Sequence, residues 1–435
     1  MLSAVIIVVG SYLAIMYAKG NYRLTRGGVL PESGLLSANS FPTGAQILID
    51  GELKGATNDT IYLKPGEYLV RLVKDGYSPW EKLLKVEKAL VAQTNARLFP
   101  VAPTLTPLTF TGVENLLPSP DGRKIVYYTA SANAETRNGL YVLELSDSIN
   151  PFQRTSRQIA VDVPLYKLGE AELIWSPDSS QLMVLTSLKQ MILDVNQMNN
   201  LLSLSDISQR RTEILTEWEE EMYLRERQYL AEFPDQVIQV ATQSAKNVYI
   251  SPDKKKLLYT ATASATLAEE LVPPLPSTNT QPEVRTIEPG QIYVYDREED
   301  KNFKIAQEIG KEPAVIKGLL ADDLDQKSPR ELLASPSAFG RLQDESLAKT
   351  ALLFNTYHSS LAINTLQWFA DSNYLLFVKE GKVQIVAYDG TNNTTLYSGP
   401  FEESFIYPWP DGSRVVILTA FSPDTPKNLY SIELK

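Results

Sequence analysis

The chain has 435 residues and a mass of 48.5 kDa, room for two or three domains, and its 43% apolar and 21% charged residues exclude a mostly disordered polymer. A net charge of −11 without any basic patch argues against nucleic acid as a partner, since a phosphate backbone would repel it. With no cysteine there can be no disulfide, thiolate metal site or Cys nucleophile, and with His358 as the single histidine there can be no multi-His metal site.

Residues 1–18 (MLSAVIIVVGSYLAIMYA) carry no charged side chain. As a helix they would reach roughly 27 Å, close to the ~30 Å hydrocarbon core, with Tyr12 and Tyr17 suited to an interface. No basic leader precedes the run and Met16-Tyr17-Ala18 is a poor cleavage exit, so the expectation is an uncleaved transmembrane anchor embedded in the lipid bilayer rather than a signal peptide. Lys19, Arg23 and Arg26 follow it, and by the positive-inside rule they would keep the rest of the chain cytoplasmic. Residues 19–33 lack periodicity and read as a juxtamembrane linker.

A strand-and-turn pattern occupies 34–100. Ala45–Asp50 runs into Asp50-Gly51, a tight-turn dipeptide. Thr60–Leu63 leads to Pro65-Gly66, where a type II turn would place Gly66 at positive φ, and Glu67–Val73, Asp75-Gly76 and Tyr77–Val86 follow. The order Ser40-Phe41-Pro42-Thr43-Gly44-Ala45, Ile47-Leu48-Ile49-Asp50-Gly51, Gly55, Leu63-Lys64-Pro65-Gly66-Glu67-Tyr68 and Lys74-Asp75-Gly76-Tyr77 resembles the PEGA domain, with Pro65-Gly66-Glu67-Tyr68 where the family has its namesake tetrad. The resemblance implies a small extracytoplasmic β-sandwich of bacterial and archaeal surface proteins, serving as a spacer or adhesion module without catalytic residues.

From 104 to 435 a unit recurs: Ser119-Pro120-Asp121-Gly122, Ser176-Pro177-Asp178-Ser179 and Ser251-Pro252-Asp253-Lys254, each between two apolar runs, with looser copies at Phe369-Ala370-Asp371-Ser372 and Trp409-Pro410-Asp411-Gly412. Proline presets the turn φ and aspartate bonds its own downstream backbone, so each unit predicts two strands joined by a tight turn. Further apolar runs, Gly139–Leu145, Gln190–Val195, Gln291–Asp296, Lys382–Tyr388 and Asn428–Leu434, predict more strands of the same sheets. Small sheets of this kind bury their faces by stacking around an axis. The pattern resembles the WD40-like, TolB-type β-propeller. The turn aspartates lie 57, 75, 118 and 40 residues apart, and only the last fits the roughly 40–45 residues of one blade. The others require insertions, and the count is five or six blades.

The insertions fall near 206–234, 264–290 and 304–350. In the first, Ile214, Trp218, Met222, Arg225, Tyr229 and Phe233 recur at helical intervals, Asp206 and Gln209 resemble a capping box, and Pro234 ends the helix. Glu217, Glu219, Glu220 and Glu221 read as its solvated face, with a partner-binding helix as the alternative. Pro273, Pro274 and Pro276 make the second an extended surface loop. The third is charged and lacks alternation. Asp322, Asp323 and Asp325 lack an EF-hand's glycine and terminal Glu, and His358 reads as a structural histidine.

No Walker loop, G-x-G-x-x-G turn or G-x-S-x-G elbow occurs. The expectation is therefore a mainly β protein: a PEGA-like sandwich and an irregular propeller with a helical insertion, preceded by one transmembrane helix. It is expected to carry no catalytic, cofactor or metal residues; the resemblance, rather than the charges after the span, implies that it presents the propeller to a protein or glycan partner of the cell envelope, with the soluble domains extracytoplasmic. The alternatives are a propeller-containing hydrolase or peptidase and a cytoplasmic-face scaffold.

Overall fold

The computed structural model describes residues 33–146, 156–273, 275, 279–307 and 366–435, with 7, 9–12 and 14–15 helical and 22–25 and 28–31 extended. The predicted anchor 1–18 lies mostly outside the described residues; among those that are described, no helix is long and apolar enough to cross a membrane. The expected linker is instead partly regular: Tyr22–Thr25 pairs antiparallel with Gly28–Pro31.

The sandwich packs a sheet of Gln46–Ile49, Glu52–Ala56, Gly66–Val73 and Trp80–Val86 against Gly34–Ala38, Asp59–Leu63 and Val91–Gln93. Period-2 alternation sends Ile47, Ile49, Val70, Leu72, Trp80 and Leu84 inward onto Leu36, Ala38 and Leu98. Asp50 and Gly51 both take positive φ, as a two-residue hairpin turn of the primed kind demands. Gly66 does not: it is the first residue of a strand, not the positive-φ corner of a type II turn.

Among the described residues, the remainder forms five antiparallel sheets in propeller-like succession, besides a two-stranded pair in the second insertion. Blade 1 is Glu114–Pro118, Lys124–Thr129, Gly139–Glu144 and Arg157–Val161; blade 2 is Glu172–Trp175, Gln181–Leu185 and Gln190–Asp194. Blade 3 is Ala245–Ile250, Lys256–Ala261, Gln291–Asp296 and Lys301–Gln307; blade 4 is Gln367–Trp368, Tyr374–Lys379, Lys382–Ala387 and Thr394–Tyr397. Blade 5 combines Ile406–Pro408, Arg414–Thr419 and Asn428–Glu433 with Leu105–Pro107 from the far end of the segment. First and last strands thus share one sheet, which fastens the two ends of a 330-residue stretch together.

Shared cores set the order of the sheets. Blades 1 and 2 meet around Trp175, Tyr128 and Leu193, blades 3 and 4 around Leu258, Val294 and Leu375, blades 4 and 5 around Phe369, Ile385 and Val415, and blades 5 and 1 around Trp409, Ile125 and Val416. Blades 2 and 3 do not meet this way. Helix α1 (Arg211–Leu230) packs Ile214, Leu215 and Trp218 on Met183 and Leu185 of blade 2, while its end, Leu230, joins Phe233 and helix α2 (Asp235–Gln243) on Tyr259 and Tyr293 of blade 3. A helical wedge fills the slot of a further blade.

The predicted single helix is therefore two. Pro234 begins α2 as its N-cap residue rather than only stopping α1, as the fixed φ of proline permits at a helix start. Asp206 is not a cap: α1 starts after Arg210, and Asp206 instead accepts from Ser208 and the Gln190 N–H. Glu219 is half-buried rather than on a fully solvated face, and that burial raises its carboxyl pKa. The second insertion is not a free loop. Ala265–Thr266 pairs with Thr286–Ile287, and Arg285 bonds Asp300 of blade 3. In the third, residues 304–307 complete a strand; 308–365, with Asp322, Asp323, Asp325 and His358, lie outside the described residues.

Candidate functional site

The five aspartate turns, four of them Pro-Asp and one Ala370-Asp371, have one construction. The N–H of the fourth residue (Gly122, Ser179, Lys254, Ser372 or Gly412) donates to the first residue's carbonyl, and that fourth residue sits at positive φ. The aspartate accepts from the next N–H but one, at 3.0, 3.0, 3.1, 3.0 and 2.7 Å. In the first three a serine hydroxyl also donates to it, at 2.6, 2.6 and 2.5 Å. Burial alone would raise the Asp178 and Asp253 carboxyls, but these bonds hold both below the ordinary range.

Antiparallel alternation puts these turns, and those joining third to fourth strands, at one end of the ring. There the sandwich docks. Its edge strand Trp80–Val86 would expose unpaired backbone groups, an invitation to aggregation. The second insertion and blade 4 cover them: the Glu81 N–H donates to Asn392 Oδ1 (2.8 Å), Leu83 O accepts from Thr280 Oγ1 (3.2 Å) and Gln281 Nε2 (2.8 Å), and the Lys85 N–H donates to Thr280 Oγ1 (3.3 Å).

Between those contacts Lys82 points into the seam and pairs with Asp389, whose side chain is 0% exposed. Asn279 Nδ2 and Thr391 Oγ1 each donate to that carboxylate at 2.6 Å. Burial would raise the Asp389 pKa; Lys82 and these donors outweigh it and keep the group ionised. Alongside, Lys256 lies 3.6 Å from both Asp253 and Asp296 and 4.8 Å over the Tyr388 ring. Glu299 completes the cluster. Burial, then the charge of Asp296, pushes its pKa to about 7, and its Oε2 is buried with no hydrogen-bond partner among the described residues.

A second anchor is Arg97. Its guanidinium pairs with Asp371 (3.5 Å) in the turn of blade 4, donates to the Gly412 carbonyl in the turn of blade 5, and lies 5.0 Å over Phe369. Its N–H meets the Tyr374 hydroxyl at 3.2 Å. Phe99 enters the core shared by blades 4 and 5, edge-on to Tyr374 at 5.2 Å. Beside Arg97 a cleft of about 280 Å³ opens at the seam.

Residues 33–101 match the PEGA domain family. That segment carries Lys82, Arg97 and Phe99, so the PEGA-like domain supplies the sandwich half of the seam. Among solved structures the chain is similar to a putative TolB from Agrobacterium tumefaciens (13% identity, 76% of each chain, TM-score 0.21) and to TolB from Acinetobacter baumannii (12%, 90% of this chain and 63% of that one, TM-score 0.20). It is also similar to an oligogalacturonate lyase from Vibrio parahaemolyticus (8%, 92% and 98%, TM-score 0.26). No curated protein matches the chain.

From the sequence, Asp253, Asp371 and Gly412 stand out only as turn residues, and Lys82, Arg97, Asn279 and Asp389 do not stand out at all. Lys82 and Arg97 look like ordinary outward positions of strands, Asn279 like loop polarity and Asp389-Gly390 like a turn. Only the inward step at Lys82, between Glu81 and Leu83 on the outer face, sets it apart, and only once the register of that strand is known.

Proposed function

We propose that the protein is a non-catalytic scaffold of the cell envelope: a PEGA-like domain locked onto a five-bladed propeller with a helical wedge, held at the bilayer by residues 1–18, with the folded domains outside the cytoplasm. The observation that supports this reading is the seam. The buried Lys82–Asp389 pair and the Arg97 bridge commit the charged groups at the turn end to joining the two domains. A fixed joint of this kind carries a presented surface at a set distance and angle from its tether, which a flexible linker would not. The opposite end of the ring, the flank of α1 and the open cleft beside Arg97 then remain for a partner.

Protease added to intact cells tests topology. Digestion of the propeller without permeabilisation is expected; protection until the membrane is opened would overturn the outward placement and favour the cytoplasmic scaffold. Crosslinking in intact cells tests the binding role, a specific captured partner being the expected result.

A further inference from the structure

We propose that the cleft between the PEGA-like domain and blade 4 is a subsite for one neutral pyranose ring of a glycan. This rests on, and deepens, the binding role proposed above by naming the chemistry of one ligand. Four features support it.

The cleft has an aromatic wall. Phe41 is 46% exposed although it stands opposite Arg97 in a parallel pair of short strands, with the guanidinium carbon 5.6 Å from its ring centroid. A single exposed ring is unremarkable by itself. Here it borders a concave space, where the C–H face of a sugar ring can pack on it.

The polar groups around it are oriented and partly unused. Asn58 Oδ1 accepts from the Ser40 N–H at 3.0 Å, which leaves its Nδ2 without a partner among the described residues. Asn39 Nδ2 donates to Ser37 at 3.1 Å and Asn95 Nδ2 to Gln93 at 3.4 Å, leaving both carbonyl oxygens unoccupied there. A fixed amide donor beside fixed amide acceptors matches vicinal hydroxyls, each of which donates and accepts.

The charge is already answered. Arg97 pairs with Asp371 on the cleft's wall, so an anionic sugar would have to compete with that carboxylate and a cationic ligand with that guanidinium. A neutral ligand pays neither penalty. Finally, 280 Å³ lies just under the roughly 300 Å³ at which pockets begin to hold drug-sized ligands, enough for one ring with its neighbours in solvent.

The test uses the full chain in a detergent without a sugar headgroup, titrated with cellotriose, chitotriose and mannotriose and with glucuronate, by saturation-transfer NMR and calorimetry. At least one neutral trisaccharide is expected to bind, at least tenfold more weakly to Phe41→Leu, which keeps apolar bulk but removes the ring, and to Asn95→Gly, which keeps the positive φ but removes the amide. Leu53→Ala, on the exposed sheet away from the cleft, should leave affinity unchanged, and thermal melts should establish that all three variants fold. Binding to none of the three trisaccharides, binding indifferent to both cleft substitutions, or preference for glucuronate would overturn the proposal. Loss of the sugar site with partner capture in cells intact would leave the scaffold reading standing; loss of capture in every variant, wild type included, would remove the scaffold reading instead.

Discussion

Two joints of the ring are built by elements from outside it, and they do different work. At two joints one turn bonds the next: the Asp121 N–H donates to Ser179 Oγ at 3.1 Å, and the Asp253 N–H to Ser372 Oγ at 3.0 Å. Where the next turn carries Lys254, Gly412 or, from blade 5 to blade 1, Gly122 in place of serine, no such hydroxyl exists. An arginine from elsewhere enters at the first two of these. Between blades 2 and 3, Arg225 of α1 donates to Pro177 O at 2.9 Å, while Lys254 lies 3.7 Å over Tyr229. Between blades 4 and 5, Arg97 of the PEGA-like domain spans both turns. The helical joint also supplies an apolar wall that the two blades cannot supply to each other. The other joint caps turns of blades that already share a core, to which it adds Phe99. The first should therefore be needed for the ring itself, and the second for holding the domains together.

The largest effect should come from the wedge. Phe233→Ala, deep between α2 and blade 3, is expected to lose about 4 kcal/mol in urea unfolding, the cost of an aromatic truncated in a core. Next, Asp389→Ala should cost about 3 kcal/mol by stranding Lys82, which is 11% exposed, in the seam. Limited proteolysis should then cut between the domains while the blades stay resistant. If the Asp389 variant melts the blades and Phe233→Ala frees only the sandwich, the contrast is reversed.

A pH effect sharpens the comparison, because Glu299 belongs to the seam. Its folded pKa of about 7 lies above the ordinary carboxyl value of 4.5, so the folded state holds the proton more tightly than the unfolded chain. That stability is fully present below the ordinary value and is lost as pH rises through about 7. Glu299→Gln should match the parent at pH 4 and exceed it at pH 8 by about 2 kcal/mol, read as melting temperature across the range. Smaller is Arg97→Lys, which keeps charge but not the fork, and should loosen the seam by about 1 kcal/mol. Arg225→Lys should do less, since that side chain is half in solvent.

The repeating turns were legible because their physics is local: proline, aspartate and the residue after it settle the geometry within four positions. The sandwich was legible for the same reason, through alternation and Asp50-Gly51. What escaped is non-local. The 75-residue spacing from Asp178 to Asp253 announces an insertion, yet nothing in it states that it takes a blade's position; that follows from which faces of blades 2 and 3 lack a neighbour. Pro234 was ambiguous because proline ends one helix and begins another equally well. Arg97 meets residues 274 and 315 positions away, a pairing that no periodicity encodes.

The seal of the ring has a mechanical consequence. Only a few residues separate the last sandwich strand, Ala96–Arg97, from Leu105–Pro107, the three-residue strand zipped onto Asn428–Glu433. Tension entering from the amino-terminal side meets the Lys82–Asp389 latch before this short zipper, which has Glu433 N–H to Thr104 O and Leu108 N–H to Leu429 O at its two ends. While the latch holds, the zipper is shielded; once it yields, the same pull peels open the circle at its narrowest stitch.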